Sequence, residues 1–390
     1  MKDRRKCKKI KVMHMIWSMG DGGAQQVVIN YLRDFQNDSD IELKLYVYTN
    51  QTDSKYDKEI AEKGYNVVYL NNPRTKIQIP YIKRYFQRPV SQKTWDRAIH
   101  EYKPDVVHVH ISALLDATMH GIIKNEIPVR FDTLHSSPYR YTGRIKKIIS
   151  HAFQKEGVIP ICVTEAQVEE AKEWYGITKY EVVRNGVDIE KIKEKCCSKT
   201  EARKEFGLST DDFVVIGVGR LNPIKKYDLL IDAFAEVKKK KPESVLLFAG
   251  DGTEKKKLQH KAMELGISES VRFFGNISDV TKLYCAADVL AVTSDSESSS
   301  LVAIEAQVCG TRCVLSAGVP RESILLDRTQ RLEKDATAKD WCCALLDESY
   351  IGSPAANIED YEVHNMSRKM KEIYLKYYSE YEENQNADTK

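Results

Sequence analysis

The feature that most limits how this chain can fold is a rhythm. Short β-branched runs alternate with helical patterns along nearly its whole length. In the first half, Ile10–Ile16 and the stretches 43–48, 67–70, 106–109, 129–134, 158–163 and 181–183 read as strands. Helical spacing fits between them, as at 24–35, 94–102 and 166–175. The second half repeats the grammar with strands at 214–218, 245–249, 271–274, Val289–Val292 and 313–315. Its helix 228–239 gathers Leu229, Leu230, Ala233, Phe234 and Val237 on one face. Strands that alternate with helices require crossover connections, hence parallel sheets covered by helices on both sides. Two such series, joined by the charged stretch 190–203, predict two Rossmann-like α/β domains with a cleft between them. Ligands then sit at the carboxyl ends of the strands.

A length of 390 residues allows two domains with substantial cores. The net charge of +3 gives no global field for nucleic acid, so none is expected as a partner. Nine cysteines are scattered, with vicinal pairs Cys196-Cys197 and Cys342-Cys343 but no C-x-x-C. That pattern argues against a disulfide framework or a zinc site and for a reducing, cytoplasmic setting. Cys309 and Cys313 bracket a turn with no histidine beside it, so no metal is expected there. The first nine residues are basic, yet Lys11 and His14 interrupt the next stretch, so residues 10–19 read as a first strand and not as a signal peptide. No stretch approaches the ~20 apolar residues that a membrane span needs.

The stretch 293–310, TSDSESSSLVAIEAQVCG, carries the chemistry. An apolar strand at 289–292 feeds a helix opening near Leu301 through a polar turn, and Ser298, Ser299 and Ser300 offer N-cap oxygens. Free backbone N–H groups and the helix dipole at Ser300 and Leu301 suit a phosphate. Glu297 and Glu305 bracket that anion site, and sugar or ribose hydroxyls are the donors such carboxylates want. Two further strand ends are glycine-containing. Ser18-Met19-Gly20-Asp21-Gly22-Gly23 precedes a helix, and Gly217-Val218-Gly219-Arg220-Leu221-Asn222 is followed by Lys225. Neither is G-x-G-x-x-G, which disfavours dinucleotide binding. Arg220 and Lys225 can neutralise charge on departing phosphates. His135 ends a strand, and His108 and His110 share one strand face, which admits a metal pair without an evident third ligand. Asp38-Ser39-Asp40 spells D-x-D but lies in a polar loop and reads as solvated.

The spacing Glu297-x7-Glu305, the G-R-L-x-x-x-K run from Gly219 to Lys225, Val183-Arg184-Asn185-Gly186-Val187-Asp188 and Phe248-Ala249-Gly250-Asp251-Gly252 together resemble retaining glycosyltransferases of the GT-B fold. The likeness is to family 4, which builds capsular and exopolysaccharides, and it covers nearly the whole chain. It implies residues 1–188 as acceptor domain, 189–360 as nucleotide-sugar domain, and 361–390 as a helix crossing back to the first domain. It implies a UDP-sugar donor, a lipid-linked saccharide acceptor, no cofactor and no metal. Glu297 would hold donor-sugar hydroxyls, Glu305 the ribose, Arg220 and Lys225 the diphosphate, and His135 the sugar. Gly22 and Gly23 would face the diphosphate, and His110 would stand on the acceptor side. Ser298 departs from the family, where glycine commonly follows the first glutamate. Two other readings stay open: another GT-B enzyme, such as a sugar-nucleotide epimerase or a phosphorylase, and a non-catalytic partner of a glycosyltransferase.

A membrane surface is a further expected partner. The stretch 141–153 sets Tyr141, Ile145, Ile148, Ile149 and Phe153 on one helix face, with Arg140, Arg144, Lys146 and Lys147 around it. The stretch 74–93 mixes Arg74, Lys76, Lys83, Arg84, Arg88 and Lys93 with Tyr81, Tyr85 and Phe86. Basic residues near an anionic leaflet contribute about 1 kcal/mol each, enough together for a peripheral association.

Overall fold

In the first strand, β1 (Ile10–Ile16), alternate residues enter two separate cores. Ile10, Val12 and Ile16 pack into one, while Met13 and Met15 pack into the other. A strand buried on both faces belongs in the middle of a parallel sheet. The computed structural model describes residues 9–388 except 21, 53, 72–79 and 278, with the backbone alone at 80–89 and 388. It divides into two compact units, Met1–Gly186 with Val363–Lys390, and Val187–Glu362.

The first unit continues through α1 (Gly23–Phe35), β2 (Ile41–Val47), α2 (Lys55–Lys63), β3 (Val67–Tyr69), α3 (Pro80–Tyr102) and β4 (Val106–His110). Then come α4 (Leu115–Lys124), β5 (Val129–Thr133), α5 (Gly143–Lys155), β6 (Ile159–Cys162), α6 (Glu165–Tyr175) and β7 (Glu181–Val182). Its parallel sheet has the order β3-β2-β1-β4-β5-β6-β7. The second unit holds α7 (Ile189–Lys195), α8 (Lys199–Glu205), β8 (Phe213–Val218), α9 (Tyr227–Lys240), β9 (Ser244–Ala249), α10 (Lys255–Glu264) and β10 (Val271–Phe273). It ends with α11 (Thr281–Ala286), β11 (Val289–Val292), α12 (Leu301–Val308), β12 (Arg312–Leu315), β13 (Gln330–Arg331) and α13 (Ala338–Leu346). The order here is β10-β9-β8-β11-β12-β13, again all parallel. In both sheets the chain order reverses beside the first strand, which is where open α/β sheets place ligands.

The stretch 190–203 is not the charged joint expected of it. It folds as α7 and α8 of the second unit, because Asp188 and Ser198 cap their first turns by accepting from Lys191 N and Glu201 N. Arg203 is buried in it and pairs with Asp288 at 2.8 Å. The last helix, α14 (Val363–Asp388), sends Met366, Met370, Ile373, Tyr374 and Tyr377 into the first unit's core. Its Lys371 lies 2.7 Å from Asp38 and 2.6 Å from Asp40, so the D-x-D residues anchor α14 instead of standing free in solvent. No helix among the described residues is long and apolar enough to cross a membrane.

A row of histidines runs through the first sheet. Parallel register sets His14 of β1 beside His108 of β4. Tyr374 of α14 bonds both, through His14 Nε2 at 2.8 Å and His108 Nδ1 at 2.5 Å. His108 Nε2 continues to Thr133 Oγ1 at 2.6 Å. In the other direction His14 Nδ1 meets His110 Nε2 at 3.0 Å, and His110 Nδ1 meets His135 Nε2 at 2.9 Å. The third partner for His108 and His110, not evident in the sequence, is thus His14. All six ring nitrogens of His14, His108 and His110 are engaged.

Burial drives the pKa of His14, His108 and His110 well below the usual histidine range, and takes His135 down to about 3. These rings are neutral when folded and protonate on unfolding, so the stability they give is present above pH ~6.5 and lost as pH falls below it. Burial pushes the Asp132 carboxyl well above the usual range, an effect of the opposite sign. The histidines outnumber it, so the net uptake of protons on unfolding weakens the first unit as pH falls below ~6.5. Urea unfolding of the full chain at pH 7.5 and 5.5 is expected to show this loss; equal stability at both values would contradict the buried neutral chain.

Candidate functional site

In the second unit the site begins where β8 and β11 end. Gly219, just past β8, has φ +135°, a conformation that L side chains rarely adopt. A Cβ there would stand 3.2 Å from the Tyr227 hydroxyl and 3.4 Å from Lys225 Cε, so its absence lets Lys225 fold back over the strand end. Lys225 Nζ donates to Glu297 Oε1 at 2.5 Å, and Ser294 Oγ donates to the same oxygen at 2.6 Å. The two charged side chains are only 17% and 16% exposed, which strengthens a charge-assisted bond. Three further hydrogen bonds brace the loops that carry them, one of them running to Gly318 beyond β12. Asp295 N donates to Ile224 O at 2.8 Å, Glu297 N to Gly318 O at 2.9 Å, and Thr293 Oγ1 to Lys225 O at 2.6 Å. Gly318 has no room for a side chain, since a Cβ would meet the Asp295 backbone at 2.4 Å. Glu297 Oε2 has no hydrogen-bond partner among the described residues and can accept from a ligand hydroxyl.

The three serines beyond Glu297 behave differently from the expected caps. Ser300 is the N-cap of α12, with φ −91° and ψ 82°, but its side chain makes no capping bond. The hydroxyls of Ser298, Ser299 and Ser300 are all buried without a hydrogen-bond partner among the described residues. Leaving a buried polar group unpaired costs on the order of 1–3 kcal/mol. Three such groups stand beside the N–H groups of a helix start. Leu301 turns its side chain into a core with Ile304 and Val308, so it offers a ligand only its backbone. One turn on, Glu305 accepts from the buried Tyr284 hydroxyl at 3.1 Å, which fixes the carboxylate against α11. Arg220 is exposed directly after β8, on a turn anchored by Leu221 N donating to Asp251 O at 2.9 Å.

In the first unit, Gly22 is the N-cap of α1 in extended conformation, with no side-chain cap and no acid in the first turn. Gly23 opens the helix, so this strand end also presents backbone N–H groups. His135 follows β5 and is partly exposed, while His110 behind it is wholly buried. His110 therefore cannot face an acceptor directly; it meets a ligand only through His135. Since each neutral imidazole carries one N–H, the bonds from His135 through His110 to His14 run the same way, whereas the Tyr374 hydroxyl, which can accept twice, does not carry that constraint on to His108. With His135 Nε2 bonded to His110, Nδ1 is the ring nitrogen left to face a ligand. His14, Tyr374, Ser294 and Gly318 escaped the sequence reading. A histidine at the centre of an apolar strand was the available signal for the first.

The amphipathic face of α5 is a correction. Ile149 is buried, and Tyr141, Ile145, Ile148 and Phe153 pack on the first unit's second core instead of facing outward. Arg144 pairs with Asp116 at 3.0 Å, and Lys146 lies 3.4 Å from the centre of the Trp174 ring. For the stretch 74–93, Arg74 and Lys76 and the side chains of Tyr81, Lys83, Arg84, Tyr85, Phe86 and Arg88 lie outside the described residues.

Residues 198–341 match the family model of glycosyl transferases group 1, and residues 21–191 match Glycosyltransferase Family 4. A D-inositol 3-phosphate glycosyltransferase of Segniliparus rotundus is 39% identical over 150 residues, 36% of this chain and 33% of that protein. Its counterpart in Mycobacteroides abscessus is 38% identical over 172 residues, 43% of this chain and 38% of that protein. The chain thus spans little more than a third of the length of these curated relatives. Among solved structures, HepE of Anabaena in complex with UDP and glucose superposes with a TM-score of 0.77 at 19% identity, covering 94% of this chain and 100% of that one. With two parallel α/β units and the superposition on HepE, the chain has the GT-B fold, and its two halves are similar to the family 4 and group 1 glycosyltransferase models.

Proposed function

We propose that the protein is a retaining, metal-independent glycosyltransferase that moves a sugar from a UDP-linked donor to a lipid-linked saccharide in cell-surface glycan synthesis. The observation that carries this is the set of three unpartnered serine hydroxyls at the head of α12, beside the Lys225–Glu297 pair. The donor's diphosphate satisfies those hydroxyls and the helix N–H groups, while Lys225 keeps two N–H donors for phosphate after bonding Glu297. Arg220, exposed on the neighbouring turn, adds a second cation against the charge that builds as the sugar departs. Glu297 Oε2 accepts from a donor-sugar hydroxyl, and Glu305 accepts from the ribose. His135 bonds the sugar through Nδ1, and Gly22 and Gly23 bring backbone to the diphosphate. With cations and helix N–H groups on the phosphates, no divalent ion is required. The departing phosphate helps deprotonate the acceptor on the same face, which retains the anomeric configuration. The complex of HepE with UDP and glucose supports the choice of donor. The name of the curated relatives supports a second acceptor, a phosphorylated cyclic polyol such as D-inositol 3-phosphate.

A lipid-linked acceptor places the enzyme on the cytoplasmic side of an anionic membrane. Since the apolar stripe of α5 is turned inward, that helix contributes charge alone, through exposed Arg140, Arg144, Lys147 and Lys155. Binding to anionic vesicles is expected to weaken with salt and with Lys147→Glu and Lys155→Glu. Equal binding to neutral vesicles would remove the membrane from the proposal.

The donor assignment is tested by turnover. Lys225→Ala and Glu297→Gln are each expected to lower transfer from UDP-sugar roughly a hundredfold or more. Product analysis by NMR should show the donor's anomeric configuration kept, with the rate unchanged by EDTA. Near-normal transfer in both variants, or an inverted product, would refute this mechanism.

A further inference from the structure

Four cysteines that the sequence scatters come together on the second unit. Cys196 and Cys197 form the turn between α7 and α8, Cys285 lies in α11, and Cys309 is the C-cap of α12. The Sγ atoms of Cys196, Cys285 and Cys309 all lie within 4.8 Å of one another, and Cys197 stands beside Cys285. All four are free thiols and none is fully buried. Cys313, across the turn from Cys309, points its buried thiol at the carbonyl oxygens of Ala303 and Thr311. The lone buried cysteines Cys162, Cys313 and Cys342 fill core space, whereas these four cluster at the rim of the core, where a solvated ion can reach them.

A tetrahedral zinc–thiolate centre holds its sulfurs about 3.8 Å apart, given Zn–S bonds of about 2.3 Å. Three sulfurs already within 4.8 Å need only small side-chain movements to reach that spacing. The ligand atoms brought together are all sulfur, a soft set that selects zinc over magnesium or calcium.

We propose that Cys196, Cys285 and Cys309, with Cys197 as fourth ligand, form a structural zinc site that staples the α7–α8 turn to α11 and to the C-terminal end of α12. Binding forms Zn–S bonds and releases the thiol protons to solvent. The staple acts on the two helices that hold Glu305, since Tyr284 precedes Cys285 and Cys309 N donates to Glu305 O at 3.1 Å. It lies at the opposite end of α12 from Ser300, so it takes no part in the transfer chemistry and stands or falls independently of it.

Elemental analysis of full-length protein, expressed with zinc, kept reduced and dialysed, is expected to find about one zinc per chain. Cys285→Ser and Cys309→Ser should each lower this at least about tenfold, while Cys343→Ser, at an exposed cysteine outside the cluster, should not. Because a serine in the cluster could unfold the unit, cobalt added to the folded, metal-free wild type gives a second reading. Thiolate-to-cobalt charge-transfer absorption should appear and should vanish when excess zinc is added. A folded wild type with no zinc and no such absorption, zinc content unchanged in Cys285→Ser, or a disulfide among the four in freshly reduced protein would each overturn the site.

Discussion

The bond from Lys225 to Glu297 is the interaction on which the second unit's site depends. It joins the loop after β8 to the loop after β11, two strands that neighbour each other in the sheet but lie far apart in sequence. A charge pair that is mostly desolvated is worth having only if its remaining bonding capacity is met. Here Ser294 meets part of it, and the rest, Oε2 of Glu297 and two N–H groups of Lys225, is what the proposed donor would satisfy. Gly318, beyond β12, lets its loop pack on the loop after β11, since a Cβ there would meet the backbone of Ser294 and Asp295. The same loops deliver Ser298, Ser299 and Ser300 to the head of α12 with their hydroxyls unspent.

In the first unit, histidines and one tyrosine run from the interior to His135, so buried residues orient a partly exposed imidazole. Tyr374 makes the C-terminal helix a member of that row, and Lys371 of the same helix is held by Asp38 and Asp40. The helix thus contributes to positioning as well as to the core.

Strands were legible because buried parallel strands are continuous apolar runs; Ile10–Ile16 and Val289–Val292 have the bounds the sequence predicts. β13 was not, because a two-residue polar edge strand, Gln330-Arg331, has no period to detect. Long α3 begins at Pro80, where basic and aromatic residues blur the helical stripe that is clear from residue 94. Glu297 and Lys225 were visible as residue types after strand ends, but their direct bond was not, since it depends on β8 lying beside β11. The histidine row and the cysteine cluster were hidden for the same reason. Their members come from separate strands and helices, and only the sheet order and helix packing bring them together. The reading of Ser298, Ser299 and Ser300 as caps failed for a local reason: N-cap serines normally spend their oxygens on the helix, and these do not.

Whether the head of α12 is a diphosphate cradle is decided most directly by calorimetric titration of the full chain with UDP and with uridine. UDP is expected to bind at least about tenfold more tightly, a difference of about 1.4 kcal/mol. Combined Ser298→Ala, Ser299→Ala and Ser300→Ala changes should abolish that advantage while leaving the weak uridine binding in place. Equal affinity for the two ligands, or an undiminished preference for UDP in the triple variant, would contradict the cradle.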